Sequence, residues 1–292
     1  MDMNLASSLR VLAQTMSESR AFHGMGLPMF WFFGFYYHGR WNDRRSRPAP
    51  EQTIELIYRG RSLRLPLTSA YAGALKGVFL DDEYALDEVL ERAPRRVLDL
   101  GANIGMAAAA LASQFPEARF LLVEPDPRNL ERLAKTVRWN GLPADIVRSA
   151  VAPSAGRLRL RIGNNPTCSA LETSAMHDLP DTVEVDVCTV GQLLARAGWD
   201  AVDLVKIDIE GTEEELLTKN NDWLARTHAL VLEIHPACSS EKIASALAGF
   251  GLRLRRHGSG REPVYVATRG ACARPHAEPY IRDRLAAVRS AL

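Results

Sequence analysis

The pattern of apolar and polar residues changes near residue 95 of the 292-residue chain. Beyond that point, short apolar runs typical of buried strands alternate with stretches whose apolar positions recur at helical spacing. Strands are predicted at "RVLDLG", "RFLLVEP", "ADIVRSAV", "VDLVKIDIEG", "HALVLEIHP", "LRLRR" and "PVYVATR". Helices are predicted over residues 104–114, 127–140, 190–197 and 239–248, with a short one starting at Glu213. This alternation predicts an α/β fold with a doubly wound, mostly parallel, Rossmann-like sheet covered on both faces.

The residues before this region follow other patterns. A helix with one apolar face is predicted over residues 5–20, and an aromatic run, "FWFFGFYY", follows at residues 30–37 as a buried anchor or a lid. The stretch "TIELIYRGRSLRLPL" alternates on both sides of a glycine turn and predicts a β-hairpin. Residues 81–92 are predicted to form an acid-capped helix. We therefore expect an amino-terminal lid-like extension over residues 1–94, the α/β domain over 95–270 and a basic helix over 271–292.

Two further alternating stretches interrupt the α/β rhythm. "GRLRLRI" and "TVEVDVCTV" predict an inserted pair of strands. The polar loop between them, residues 163–174, is expected either to contact the substrate or to be a solvated connection.

Composition narrows the choice of partner and compartment. The net charge of +1 provides no overall field for nucleic acid, so we expect a small-molecule substrate. The four cysteines are dispersed without a C-x-x-C pair, which favours reduced thiols in a cytoplasmic protein. The longest apolar run, residues 25–37, has 13 residues, whereas a membrane-spanning helix needs roughly 20. It also lacks the basic leader of a secretory signal, so neither a span nor a signal is expected.

The glycine turn in "VLDLGANIG", residues 97–105, differs from the common phosphate-binding loops. Asn103 and Met106 replace the second and third glycines of the dinucleotide fingerprint, and the lysine of the P-loop is missing. Gly101 and Gly105 still allow a tight turn and a close approach of the backbone to a ligand. The turn is therefore predicted to bind a ligand that carries no phosphate.

Three acids follow strands whose carboxyl ends share one edge of a doubly wound sheet: Asp99, Glu124 and Asp208. Glu124 lies 23 residues beyond Gly101, the spacing of a carboxylate that accepts both ribose hydroxyls. Asp99 and Asn103 at the turn suit an ammonium or a hydroxyl better than a dianion. These features predict S-adenosylmethionine as the cofactor. The alternatives are a NAD-type domain with a degenerate loop and a remnant that binds nothing.

The motifs "VLDLGANIG", "VEPDPRN", "VDLVKIDIEGTE" and "LEIHP", in this order, resemble the FkbM-type methyltransferases over residues 78–268. The resemblance implies the class I methyltransferase fold, S-adenosylmethionine as methyl donor, and O-methylation of sugars or natural products. It also implies which residues meet the cofactor, namely Asp99, Gly101, Asn103, Gly105 and Glu124. Asp208 and Glu210 are implied to lie beside the transferred group.

The strand-end motifs also suggest the catalytic group. Asp208 and Glu210 alternate along "KIDIEG", and Glu233 and His235 alternate along "LEIHP". If these two strands are neighbours, the four side chains converge. His235 is the predicted general base, with Glu233 or Asp208 orienting it. The same carboxylates are of the type that binds Mg²⁺, although no metal ligand is predicted. Alternatively, Glu210 and Glu213 cap the following helix.

The sequence is compatible with three functions. The first is O-methylation of a small natural-product or sugar hydroxyl. The second is an intramolecular cyclisation, favoured by an aromatic lid over the sulfonium, that releases methylthioadenosine and azetidine-2-carboxylate. The third is a nucleoside-binding protein without catalytic activity.

Overall fold

The computed structural model describes residues 51–162, 167–174, 181–258 and 263–269. The strands, in chain order, are β1 (Gln52–Tyr58), β2 (Arg61–Leu67), β3 (Arg96–Leu100), β4 (Arg119–Val123), β5 (Ala144–Val147), β6 (Ala150–Val151), β7 (Gly156–Ile162), β8 (Ala170–Leu171), β9 (Asp181–Cys188), β10 (Val202–Ile207), β11 (Thr227–Glu233), β12 (Leu252–His257) and β13 (Val264–Arg269). The helices are α1 (Ala72–Phe79), α2 (Met106–Gln114), α3 (Pro127–Asn140), α4 (Val190–Ala197), α5 (Glu213–Thr218) and α6 (Ser240–Ala248).

A seven-stranded sheet in the order β12-β13-β11-β10-β3-β4-β5 forms the centre of the fold. The five strands from β11 to β5 are parallel, and β13 and β12 pair antiparallel at one end. The predicted α/β class and mostly parallel sheet are therefore confirmed. Because β3 pairs with β4 on one side and with β10 on the other, the strand order reverses there. A ligand crevice is expected above the carboxyl ends of these strands.

Helices cover both faces of the sheet. One face packs against α4, α5 and α6. The other face packs against α2 and α3, and the β1–β2 hairpin and α1 lie over these two helices in the same hydrophobic cluster. As a result, α2 is buried on every side, from Met106 through Ala112. The domain boundaries stay predictions, but the hydrophobic cluster runs without a break across residue 94.

The chain between α1 and β3 does not form the helix predicted over residues 81–92. Turns occupy this stretch because Asp82 has a positive φ of 52° and binds Tyr58 and Arg59. Tyr84 and Leu86 then turn inward and are buried. The helix α1 just before it was not predicted.

Two other boundaries differ from the prediction. The helix predicted to begin at residue 104 begins at Met106, because Gly105 has a φ of 85° and ends the turn in the left-handed region. The single strand predicted from "ADIVRSAV" is two strands, since β5 belongs to the central sheet and β6 pairs with β9 in a second sheet.

The second sheet has four strands in the order β6-β9-β7-β8. Its antiparallel β7–β9 pair confirms the predicted inserted strands. Residues of β6, β7 and β8 form one wall of the crevice above the central sheet. The helix predicted over 5–20, the aromatic run at 30–37 and the basic helix over 271–292 lie outside the described residues.

Candidate active site

An open cleft of about 570 Å³ lies at the carboxyl ends of β3, β4 and β10. Five residues predicted from the sequence line the cleft: Gly101, Asn103, Glu124, Asp208 and Glu210. Apolar residues line the opposite wall, at Val151, Leu160 and Leu171. Among the described residues, the lining contains no lysine or arginine that would neutralise a phosphate.

The glycine turn brings the backbone close to the cleft. Gly101 has a φ of 78°, and a Cβ added there would lie 1.8 Å from the carbonyl oxygen of Asp208. Only glycine fits at that position. Gly105 lies behind the turn, where an added Cβ would lie 2.8 Å from Leu133, and does not line the cleft. The turn therefore offers backbone groups to a ligand and leaves little room for side chains.

Glu124 follows β4 and lies on the cleft wall with an exposed fraction of only 5%. Its carboxylate accepts hydrogen bonds from the backbone N–H groups of Asn103 and Asp126, both at 2.8 Å, and from Asn129 Nδ2 at 3.3 Å. Burial raises the pKa of Glu124 to about 7, although these three donors favour the ionised form. The carboxylate is thus held in a fixed orientation at the cleft.

Asp99 is completely buried and does not line the cleft. Its Oδ1 atom lies 3.3 Å from Nζ of Lys206, which also donates to the Gly101 carbonyl at 2.7 Å and to Asp208 Oδ2 at 3.4 Å. Burial disfavours the ammonium, but the charges of Asp99 and Asp208 raise the pKa of Lys206 above its usual range. Lys206 was not predicted from the sequence. Its signal was a lysine inside an apolar strand that ends in an acid.

Four side chains at the ends of β10 and β11 converge, as the alternation of the motifs indicates: Asp208, Glu210, Glu233 and His235. We call them the acidic corner. Nε2 of His235 lies 3.6 Å from Glu210 Oε2 and 4.0 Å from Asp208 Oδ1. Nδ1 of His235 lies 2.8 Å from Glu213 Oε1. Burial opposes the charged imidazole, but the Glu213 hydrogen bond and the nearby carboxylates raise the pKa of His235 to about 10.

The carboxylate that lies within hydrogen-bond distance of Nδ1 of His235 is that of Glu213, which was not among the predicted partners. Glu213 is completely buried, and its Oε1 also accepts the N–H groups of Ile209 at 3.2 Å and Gly211 at 3.1 Å. Interpreting Glu213 only as a helix cap was therefore incomplete. Burial is the largest effect on the pKa of Glu213 and raises it, but the hydrogen bond and charge of His235 and the hydrogen bonds from Gly211 and Cys238 together lower this pKa. A pKa of about 10 favours the charged, proton-donating form of His235 at neutral pH.

Glu210 has the properties of a proton acceptor. It lines the cleft, and its backbone has a positive φ of 56°. The hydroxyl of Ser174 donates to its carbonyl oxygen at 2.7 Å and fixes the polar loop to this position. Burial, followed by the charge of Asp208, raises the pKa of Glu210 to about 8. A carboxyl with a pKa near the working pH suits general acid–base catalysis.

In the described part of the chain, one ligand atom each from Asp208, Glu233 and His235 lie within 4.8 Å of one another. These are donor types that bind divalent cations. Each is already engaged, Asp208 with Lys206 and Glu233 with the hydroxyl of Tyr84 at 2.9 Å. Burial first, then the charge of Glu233, raises the pKa of Tyr84, which keeps this hydroxyl a donor. A metal ion would compete with the ammonium, the phenol and the imidazolium for the same oxygens.

The family profile described as "Methyltransferase FkbM domain" matches residues 99–251, from the glycine turn through the acidic corner. The chain belongs to the FkbM methyltransferase family. It is a methyltransferase, and S-adenosylmethionine is its cofactor. The resemblance seen in the sequence is thereby confirmed. The NAD-type and non-catalytic alternatives are not supported.

Three curated relatives align with this chain over lengths that differ widely, both in this chain and in the relatives themselves. The AMB antimetabolite synthetase AmbE of Pseudomonas aeruginosa is 27% identical over 217 residues, 62% of this chain and only 10% of that protein. The 31-O-demethyl-FK506 methyltransferase FkbM of Streptomyces tacrolimicus is 26% identical over 249 residues, 71% of this chain and 93% of that protein. Ribosomal RNA small subunit methyltransferase C of an Enterobacter species is 28% identical over 145 residues, 47% of this chain and 40% of that protein.

A solved structure of fibrillarin from Aeropyrum pernix, with S-adenosyl-L-methionine bound, is 15% identical to this FkbM-family chain. It aligns with a TM-score of 0.42 over 77% of this chain and 85% of that one. The fold assignment rests on the strand order described above. No helix among the described residues is long and apolar enough to cross a membrane.

Proposed function

We propose that this enzyme methylates a hydroxyl group of a small natural product or sugar. The observation that carries the proposal is Glu210, a buried carboxyl on the cleft wall with a pKa of about 8 beside the His235 imidazolium. An acceptor hydroxyl must lose its proton as it attacks, and Glu210 is placed to take that proton. The 31-O-demethyl-FK506 methyltransferase FkbM, which this chain matches over most of that protein's length, supports oxygen as the acceptor atom.

The residues of the cleft fit S-adenosylmethionine, which supplies an electrophilic methyl group when bound. Glu124 offers an oriented carboxylate for the two ribose hydroxyls. The Gly101 turn offers backbone groups to the methionyl part. Val151 and Leu160 offer an apolar wall for the adenine ring. In this placement the acidic corner faces the sulfonium and stabilises its positive charge.

Glu210, as carboxylate, accepts the proton of the acceptor hydroxyl as that oxygen attacks. The bound cofactor would supply the methyl group to this oxygen, keep the electron pair of the broken carbon–sulfur bond on sulfur, and leave as S-adenosylhomocysteine. The His235 imidazolium, held by Glu213, stabilises the ionised form of Glu210 before the transfer. Lys206 fixes Asp208 at the other side of the corner.

The pH dependence of kcat/KM tests these roles. Glu210 must be ionised, so activity is expected to rise as the pH increases through its pKa of about 8. His235 must be protonated, so activity is expected to fall as the pH increases through about 10. The result is a bell-shaped profile with an alkaline optimum. A flat profile from pH 6 to pH 9 contradicts the assignment.

Replacing Glu124 with Ala tests the ribose site. Loss of a charged acceptor for two hydroxyls is expected to cost about 1.5–3 kcal/mol of binding, about 10- to 150-fold in the Kd of S-adenosylhomocysteine. Calorimetry measures this Kd. Glu117→Ala is the control, because Glu117 is exposed near the opposite edge of the sheet. A folded Glu124→Ala protein with unchanged affinity places the ribose elsewhere.

A product assay separates methyl transfer from the cyclase alternative. That alternative depends on the aromatic run at residues 30–37, outside the described residues, and converts S-adenosylmethionine alone into methylthioadenosine. We expect S-adenosylhomocysteine, formed only when a hydroxylated acceptor from a panel of sugars and natural products is present. Methylthioadenosine formed without an acceptor overturns the O-methylation proposal.

The proposal includes a small-molecule acceptor rather than nucleic acid, and a cytoplasmic location. The net charge of +1 supports the first part, because nucleic-acid enzymes generally carry a basic surface. The match to ribosomal RNA methyltransferases makes RNA a necessary arm of the acceptor panel. Methylation of ribosomal RNA in preference to every small hydroxyl compound overturns this part.

A further inference from the structure

Two buried tyrosines connect the segment before the family domain to the active site. Tyr71 lies in a short 3₁₀ turn before α1, and Tyr84 lies in the turns before β3. Both precede residue 99, where the match to the family begins. Their exposed fractions are 0% and 3%, so the ring of each is fixed by the core. The hydroxyl of Tyr71 leads to Glu124 on the cleft wall, and the hydroxyl of Tyr84 leads to the acidic corner.

Tyr71 reaches the ribose end through one intermediate side chain. Its hydroxyl donates to Oδ1 of Asn129 at 2.7 Å, and Nδ2 of Asn129 donates to Oε1 of Glu124 at 3.3 Å. An amide group can present either its oxygen or its nitrogen to a neighbour. The Tyr71 hydroxyl selects the orientation in which the nitrogen faces Glu124. The other orientation would set an amide oxygen against a carboxylate.

Tyr84 reaches the acidic corner directly. Its hydroxyl donates to Oε1 of Glu233 at 2.9 Å. Glu233 ends β11, two residues before His235, and its carboxylate contributes to the group formed with Asp208. With Oε1 bound to Tyr84, the carboxylate has one orientation instead of several. Tyr84 therefore acts on the acidic corner, whereas Tyr71 acts on Glu124.

We propose that Tyr71 and Tyr84 are positioning residues, through which the segment before the family domain, residues 51–98, contributes to the active site. Tyr71 sets the affinity for the nucleoside part of the cofactor, and Tyr84 sets the rate of the transfer step. The inference rests on the cofactor placement given under the proposed function. It differs from a general stabilising role because it assigns separate effects to the two hydroxyls.

The test compares Tyr71→Phe with Tyr84→Phe, each of which removes one oxygen and keeps the ring. The two variants serve as controls for each other, since both lose one buried hydrogen bond of similar value. Three quantities are measured: the Kd of S-adenosylhomocysteine, the Kd of sinefungin, and kcat at saturating S-adenosylmethionine. Sinefungin carries an ammonium group where the transferred methyl would lie, so it reports on the acidic corner without requiring turnover.

For Tyr71→Phe we expect both dissociation constants to rise together by about 5- to 10-fold, with kcat unchanged. For Tyr84→Phe we expect the Kd of S-adenosylhomocysteine to stay the same, the Kd of sinefungin to rise about 5-fold, and kcat to fall about 10-fold. Equal effects of the two variants on all three quantities overturn the inference, as does a loss of thermal stability alone.

The outcome is separable from that of the proposed function. If the wild-type protein releases methylthioadenosine or methylates RNA, the proposed acceptor is wrong, but the two binding measurements still decide the roles of the tyrosines. If the wild-type protein forms S-adenosylhomocysteine as expected and the two variants behave alike, only the positioning roles are wrong.

Discussion

Replacing Glu210 with Gln is expected to lower kcat by about 10²- to 10⁴-fold, the usual contribution of a general base. Gln keeps the shape of the side chain and tolerates the same backbone as Glu, so the fold and the cleft are retained. It cannot accept the hydroxyl proton. The Kd of S-adenosylhomocysteine should change much less than kcat, because Glu210 acts on the acceptor and not on the nucleoside.

The control for this variant is Glu241→Gln, which lies in the exposed first turn of α6, away from the cleft. Its activity should equal that of the wild type. The alkaline rise in the pH profile should also vanish in whatever activity Glu210→Gln retains, since the group that titrates near pH 8 is gone. Full activity in this variant would assign proton removal to another group or to water.

The second large effect concerns the stability of the buried pair formed by Glu213 and His235. Replacing Glu213 with Ala leaves a buried imidazolium without its partner and two backbone N–H groups without an acceptor. Removing one member of a buried ion pair costs about 3–5 kcal/mol. Denaturant unfolding of the two proteins at pH 7 measures this difference. Glu215→Ala is the control, because its exposed pair with Lys219 should contribute only about 0–1 kcal/mol.

The pH dependence of this stability difference has a definite sign. The pKa of His235 is raised from 6.5 to about 10 in the folded protein. The stabilisation from the pair is therefore complete below pH 6.5 and is lost as the pH increases through about 10. The difference in the free energy of unfolding between the wild type and Glu213→Ala should therefore become smaller as the pH increases from 6.5 to about 10. A gap that widens with pH, or one below about 1 kcal/mol at pH 7, contradicts the ion pair.

The sequence predicted those parts of the fold that depend on local periodicity. The strands around the sheet switch were found because each is an apolar run of strand length, and α3 because its helical pattern stops before Gly141. The helix predicted over residues 81–92 failed because Asp82 adopts a positive φ to bind Tyr58 and Arg59, residues distant in sequence. A contact between residues this far apart in sequence cannot be predicted from the local pattern of apolar and polar residues.

The site was predictable to the extent that it lies at strand ends. Asp208, Glu210, Glu233 and His235 meet because their strands are neighbours, which the α/β rhythm implied. Glu213 was assigned to a cap because an acid in the first turn of a helix fits that role equally well. Lys206 was not predicted, although its sequence context, a lysine inside an apolar strand that ends in an acid, differs from that of a surface lysine; its two carboxylate partners appear only in the fold.

The hairpin and α1 cover the outer side of α2, and this has a consequence for how the family domain can be moved between proteins. A fragment beginning at residue 99 would leave the alanine-rich surface of α2 in water, and would also lack most of β3. An apolar surface of that kind promotes aggregation. Residues 99–251, which match the family, therefore cannot be transferred alone into another protein. A chimera that contains them must also contain the residues from 51 onward.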